Sequence, residues 1–196
     1  MANVDAAFGA KPVRHLTGGT IRANEWKIIG DGTSSTAIFT GDFVKLLGTG
    51  YIDAAAAGER MLGVFAGCKY TDSSGNIVFK RYYPASTTTL GSGDITAYVY
   101  DDPHTVFAIQ SSGSTVFADI GNLGNHVAGT GSTSTGQSAF EINGTTGTGT
   151  AGLRVLGLYN EPKNAYGTNV VLAVTIYEHE LNEHVAGGSA AQDPGV

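Results

Sequence analysis

The sequence is poor in cysteine, in charge and in long apolar runs. It has one cysteine, Cys68, so no disulfide framework can staple it from within. Charged residues make up 14% of its 196 positions, against about 25% in an ordinary globular domain. The 11 Lys and Arg are scattered, and the formal net charge is −6. No basic patch is visible, which argues on electrostatic grounds against nucleic acid and anionic membranes as partners. No apolar run approaches the roughly 18 residues of a membrane-spanning helix. The opening Met1-Ala2-Asn3-Val4-Asp5 lacks the basic and apolar regions of a signal peptide. The expectation is a product made in the cytosol, with no membrane address.

Glycine, by contrast, is abundant at 29 copies, while proline has only 5. Gly, Thr and Ser cluster between short apolar runs, which is the pattern of many strands joined by many turns. The fold class read from this is all-β, an antiparallel barrel or sandwich of about eight to nine short strands. Its expected organisation is an extended N-terminal arm over 1–20, a β domain over 21–182 and a short tail over 183–196. No repeat of fixed period is present, which argues against a solenoid or propeller.

Several strands follow from local pattern. Arg22–Ile29 places Trp26 and Ile28 on one face. Ala37–Leu47 is interrupted by Gly41-Asp42, which predicts a turn or bulge. The run Ala54–Ala57 ends at Gly58 and reads as a close-packed loop. In Met61–Tyr70, Leu62, Val64, Ala66 and Cys68 share one parity, as in a half-buried strand. Asp72-Ser73-Ser74-Gly75 then predicts a hairpin with Ile77–Tyr83 across a four- or five-residue loop. Ile95–Tyr100 and Thr105–Gln110 predict a second hairpin across Asp101–His104. Val116–Leu123 is a short helix candidate, and Ser138–Ile142 is a strand between two loose loops. Leu153–Tyr159 and Asn169–Tyr177 close the sheet, with Val170, Leu172, Val174 and Ile176 pointing one way.

Gly9, Pro12, Gly18 and Gly19 break any helix in the first 20 residues. Apolar side chains on such a segment suit docking, and its interface candidates are Val4, Phe8, Pro12, Val13, Arg14 and Leu16.

Motifs for chemistry fail on spacing or context. His179 and His184 fall five residues apart, about 140° around a helix, so a His-Glu-x-x-His zinc site is not formed. A polar strand end is the better reading of that stretch. Gly147-Thr148-Gly149-Thr150-Ala151-Gly152 has the letters of a dinucleotide fingerprint. It precedes a strand, whereas the fingerprint must follow one and open a helix. No Gly-x-Ser-x-Gly elbow is present. Cys68 shares the apolar parity of its strand and reads as a small buried hydrophobe. The turn carboxylates Asp42, Asp53, Glu59, Asp101 and Asp102 form no sequence pattern for acid–base catalysis, and Asp101-Asp102-Pro103 suits turn chemistry. Trp26 and the tyrosines Tyr51, Tyr70, Tyr82, Tyr83, Tyr98, Tyr100, Tyr159 and Tyr177 alternate mostly with aliphatics as ordinary sheet residues. Some suit an interface. No catalytic residue, cofactor or metal is expected.

Several stretches together resemble a family of tailed-phage virion proteins. They are Asn3-Val4-Asp5-Ala6 with Pro12-Val13-Arg14-His15-Leu16-Thr17-Gly18-Gly19, and Gly41-Asp42-Phe43-Val44. Further along come Leu62-Gly63-Val64-Phe65-Ala66-Gly67-Cys68-Lys69-Tyr70 with Asp72-Ser73-Ser74-Gly75, and Ala97-Tyr98-Val99-Tyr100-Asp101-Asp102-Pro103. The likeness, which runs from Asn3 to about His179, is to capsid decoration or cement proteins. It implies a β-rich, often trimeric subunit that binds the major capsid protein on the outside of an HK97-type shell. It carries no catalytic motif over. The Gly- and Thr-rich stretch 129–152 matches no functional element of that family. Two other readings stay open: another virion part such as a neck, tail or fibre-base protein, and a carbohydrate-binding adhesion module.

Overall fold

A computed structural model describes residues 3–144 and 152–182. Its strands in chain order are β1 (Lys11–His15), β2 (Asn24–Ile28), β3 (Ile38–Phe39), β4 (Phe43–Leu46), β5 (Ile52–Ala54), β6 (Gly63–Thr71), β7 (Ile77–Lys80), β8 (Tyr82–Tyr83) and β9 (Ile95–Tyr100). They continue with β10 (Thr105–Gln110), β11 (Ser114–Thr115), β12 (Leu123–Gly124), β13 (His126–Val127), β14 (Glu141–Ile142), β15 (Leu153–Leu158), β16 (Gly167–Thr168) and β17 (Val171–Ile176). Nine of these have four residues or more, and the rest have two or three. Among the described residues the helical content is two three-residue turns, at Leu90–Ser92 and Phe117–Asp119. The fold is all-β, as the composition implied.

Two antiparallel sheets form the body. One has five strands in the order β1-β10-β17-β15-β12. The other has six, in the order β2-β9-β6-β4-β5 with β7 beside β6. The six-stranded sheet curls until its ends, β2 and β5, pack against each other, and among the described residues no closed barrel forms. Its concave face buries Ile28, Val44, Phe65, Cys68, Ile95, Ala97 and Val99 with Ile38 and Tyr83. A second core lies where the two sheets meet, between Phe107, Ile109, Leu172, Val174 and Ile176 of one and Phe43, Val64 and Met61 of the other. Strand β17 is buried along its whole length, which is what a central strand at a sheet–sheet contact requires. Val170, Leu172, Val174 and Ile176 share the inter-sheet core, as their common parity predicted.

Three expectations are corrected. First, β9 and β10 are not a hairpin: β9 pairs with β2 and β6, and β10 with β1 and β17. Asp101–His104 is a corner carrying the chain from one sheet to the other. Buried Asp101 accepts hydrogen bonds from Asn24 Nδ2 (2.7 Å) and Trp26 Nε1 (2.8 Å), fixing the corner to β2. Second, the parity of β6 breaks at a bulge between Phe65 and Gly67. Phe65 and Cys68 therefore share a core although they are three apart, and Val64 faces the other sheet. Third, Val116–Leu123 yields only the turn at Phe117–Asp119, whose start the Asp119 carboxylate caps by accepting the Val116 amide (2.8 Å).

The first hairpin forms as read. Thr71 pairs with Ile77 across a five-residue loop, 72–76. Asp72 organises it by accepting the Ser74 and Asn76 amides, both at 2.9 Å. The Gly41-Asp42 interruption is the turn between β3 and β4. Gly41 has φ +102 and lies close to Phe8 O and Ala10 N, so a side chain there would strike the N-terminal segment.

Candidate protein-binding surface

The N-terminal segment is extended, and it lies on its own body. Residues 3–10 are captured mainly through their backbone. Buried Gln110 donates from Nε2 to Val4 O (2.8 Å) and accepts the Ala6 amide at Oε1 (2.9 Å). Gln137 Nε2 donates to Phe8 O (2.8 Å), Ala10 N donates to Gly41 O (2.9 Å), and Asn3 Nδ2 donates to Ala165 O (2.8 Å) and Thr168 O (2.9 Å). Residues 11–15 then join the five-stranded sheet as edge strand β1. The boundary drawn at residue 20 thus places a strand of that sheet in the arm. No local pattern signals this, because Gln110 and Gln137 look like ordinary polar residues until the fold brings their amides to the segment.

With the backbone engaged, the side chains divide. Val4 is 77% and Leu16 46% exposed. Phe8, Pro12 and Val13 are half-buried, and Arg14 is exposed. Val13 and Arg14 form one wall of a groove of about 240 Å³, with Ala173 in its floor and Leu158, Tyr159 and Asn160 opposite. Each wall strand carries a register shift there, between Pro12 and Arg14 in β1 and between Val155 and Gly157 in β15. Bulges of this kind re-aim side chains. In the floor, Ala108 pairs with Ala173, which in turn pairs with Gly157; these small residues leave the space. Of the six interface candidates, Val13 and Arg14 are brought together at the groove. Val4, Phe8 and Leu16 lie elsewhere along the segment, and Pro12 is beside Val13 in β1.

The β9–β10 corner gathers titratable groups that are remote in sequence. His15, Asp102 and His104 place ligand atoms within 4.8 Å of one another. His15 Nε2 is 2.9 Å from Asp102 Oδ2, and His104 Nδ1 is 3.6 Å from Asp102 Oδ1. The donor set resembles that of a metal site, but its tautomer does not. His15 Nδ1 accepts the Thr17 amide (3.2 Å) and the Gly19 amide (3.1 Å), and it is 3.0 Å from the Thr17 hydroxyl. The proton therefore sits on Nε2 and points at Asp102, whereas a metal on Nε2 needs a lone pair there and an N–H on Nδ1. The same crowding disposes of a Thr17–His15–Asp102 triad, because a general base needs a free lone pair. This cluster is a clasp that ties the end of β1 to the corner. Burial raises the Asp102 carboxyl, but the His104 amide and the His15 ring outweigh it and hold it below the usual carboxylate range.

His179 is not part of a polar strand end. It is wholly buried, because Met61 N donates to Glu178 O and Glu180 N donates to Met61 O, both at 3.0 Å, drawing residues 178–180 into the joint between the sheets. Its Nδ1 accepts the Leu181 amide (3.1 Å). Burial drives it down to about 4, against the upward pull of Asp101 and Asp102. His184 and residues 147–151 of the glycine motif lie outside the described residues, as does the 183–196 tail. Cys68 is buried as expected, and burial pushes its thiol up to about 12. No family model, curated protein or solved structure matches the chain.

Proposed function

We propose that this chain is a non-catalytic structural subunit of a tailed-phage virion, a decoration or cement protein that binds the outer surface of the assembled capsid. The observation that supports this reading is the construction of its N-terminal surface. Side-chain amides of its own body hold the backbone of Val4, Ala6 and Phe8, and the outward side chains Val4, Val13, Arg14 and Leu16 stay available to a partner. A surface organised before contact loses little entropy on binding. Its partner is the major capsid protein, at junctions between subunits, and the subunit also associates with itself as a homotrimer. Nucleic acid and membrane play no part.

The mechanism is linkage. A ligand that binds only the assembled state stabilises it by RT ln(1 + [L]/Kd), about 4 kcal/mol per site at a thousandfold excess over Kd. Repeated over many sites, this would resist the pressure of packaged DNA.

The test uses point variants, because deleting the first 16 residues would remove an edge strand. In Val13→Asp/Arg14→Glu, occupancy on expanded capsids of the cognate major capsid protein should fall at least tenfold, with the urea midpoint unchanged. Unchanged occupancy would remove the groove wall from the proposal. Failure of the wild-type protein to bind those capsids would overturn the proposal itself.

A further inference from the structure

Among the described residues, strand β7 pairs with β6 and with no other strand. The hairpin shows which of its amides face outward. Asp72 N donates to Asn76 O at 2.9 Å, which makes Thr71–Ile77 a non-hydrogen-bonded pair. Alternation along an antiparallel ladder then makes Tyr70–Val78 hydrogen-bonded and Lys69–Phe79 not. The N–H and C=O groups of Ile77 and Phe79 therefore point away from β6. Among the described residues, no backbone bond from another segment reaches them.

The same two residues carry large apolar side chains in water. Ile77 is 65% and Phe79 68% exposed, on the convex side of the curled sheet, while Val78 packs against the core beneath. An open edge with exposed apolar side chains is the arrangement that sheets ordinarily avoid. It is also what β-strand addition uses, with backbone bonds for affinity and alternate side chains for selectivity.

Charge identifies the occupant. Although the whole chain is acidic, residues 63–83 contain three cations, Lys69, Lys80 and Arg81, and one carboxylate, Asp72, whose oxygens are taken up by the loop. The Lys69 ammonium lies 5.4 Å from the centre of the Phe79 ring, and Lys80 is the same distance from that of Tyr82. A second copy pairing through β7 would bring Ile77–Lys80, which carries a lysine and no carboxylate, to an edge that is already cationic. We propose that the β7 edge is a docking site for an extended protein segment with alternating apolar and acidic side chains, added as a strand beside Ile77–Lys80. This inference stands apart from the capsid reading and survives its failure.

The experiment follows backbone amide shifts of the ¹⁵N-labelled full chain on titration with three probes. They are a ten-residue peptide of alternating Val and Glu, its Val–Lys counterpart, and a single-stranded DNA oligonucleotide. The Val–Glu peptide is expected to move the Ile77 and Phe79 amides most, and the other probes to leave them in place. Phe79→Pro removes an outward N–H without touching a bond to β6; it should weaken the peptide at least tenfold. Phe79→Ser serves as the second variant, since it keeps the N–H and removes only an exposed ring, and a several-fold loss is expected. The proposal is overturned if the acidic peptide leaves these amides unmoved, if the Val–Lys peptide or the DNA moves them equally, or if folded Phe79→Pro binds as the wild type does.

Discussion

Replacing Asp42 and His179 one at a time should uncover two opposed pH dependences that nearly cancel in the parent chain. Asp42 is 2% exposed, and burial raises its carboxyl from 3.8 to about 6 in spite of the Phe39 amide donating to Oδ2 at 2.7 Å. Between those values the folded chain holds a proton that the unfolded chain has released. Stability therefore falls as pH rises through that window, by about 3 kcal/mol in all at ~1.4 kcal/mol per pH unit. His179 behaves in the opposite sense. Its ordinary value of 6.5 is pushed down to about 4 by burial, so between the two the unfolded chain takes a proton that the folded chain refuses. Its contribution is present above pH 6.5 and is lost as pH falls through about 4, again about 3 kcal/mol. His126, stacked on Phe140 and also held low by burial, acts in the same sense as His179. It is common to the parent and both variants, so differences from the parent isolate each group. The assay is urea unfolding at pH 4, 5, 6 and 7. His179→Gln should lose stability relative to the parent as pH rises, at about 1 kcal/mol per pH unit, and Asp42→Asn should gain it at a similar rate. Variants whose stability runs parallel to the parent across this range would show that Asp42 and His179 do not titrate in this way.

Three further outcomes follow from single contacts. Gln110→Ala should cost about 1–3 kcal/mol, because it strands the Val4 carbonyl and the Ala6 amide, and hydrogen exchange at Ala6 should accelerate well before the core does. Gly9 has φ +75, and a Cβ there would lie 2.5 Å from Ser138 Cβ. Gly9→Ala should therefore lower stability by about 2–3 kcal/mol in chemical denaturation. Cys68, buried and with its thiol pushed up to about 12, should resist a thiol-specific reagent at pH 8 until denaturant unfolds the chain; labelling of the native protein at the rate of a free thiol would contradict its placement.

Elements whose pattern is local were legible in the sequence. The 72–76 loop is an example, because Asp72 bonds within its own turn and needs nothing distant. So is β17, where the alternate residues Val170, Leu172, Val174 and Ile176 enter one core. What was illegible depended on residues far apart. Tyr100 and Thr105 look like two arms of a hairpin until buried Asp101 is seen bonded to Asn24 and Trp26, which sends the chain to the other sheet. The bulge after Phe65 carries no local signal beyond Gly67, yet it decides which core Cys68 enters. The apolar sprinkling of the first 20 residues was visible, but its tether to Gln110 and Gln137 was not. The corner cluster of His15, Asp102 and His104 needed both sheets in place before its members could meet.

The most direct test of the central claim is electron cryomicroscopy of the native virion containing this chain, at a resolution that traces β1 and the groove beside Val13 and Arg14. Density for the subunit is expected on the outer shell, related by local threefold symmetry, with that groove wall against the major capsid protein. Density for the chain in the neck, tail or fibre base, or a shell without it, would contradict the claim.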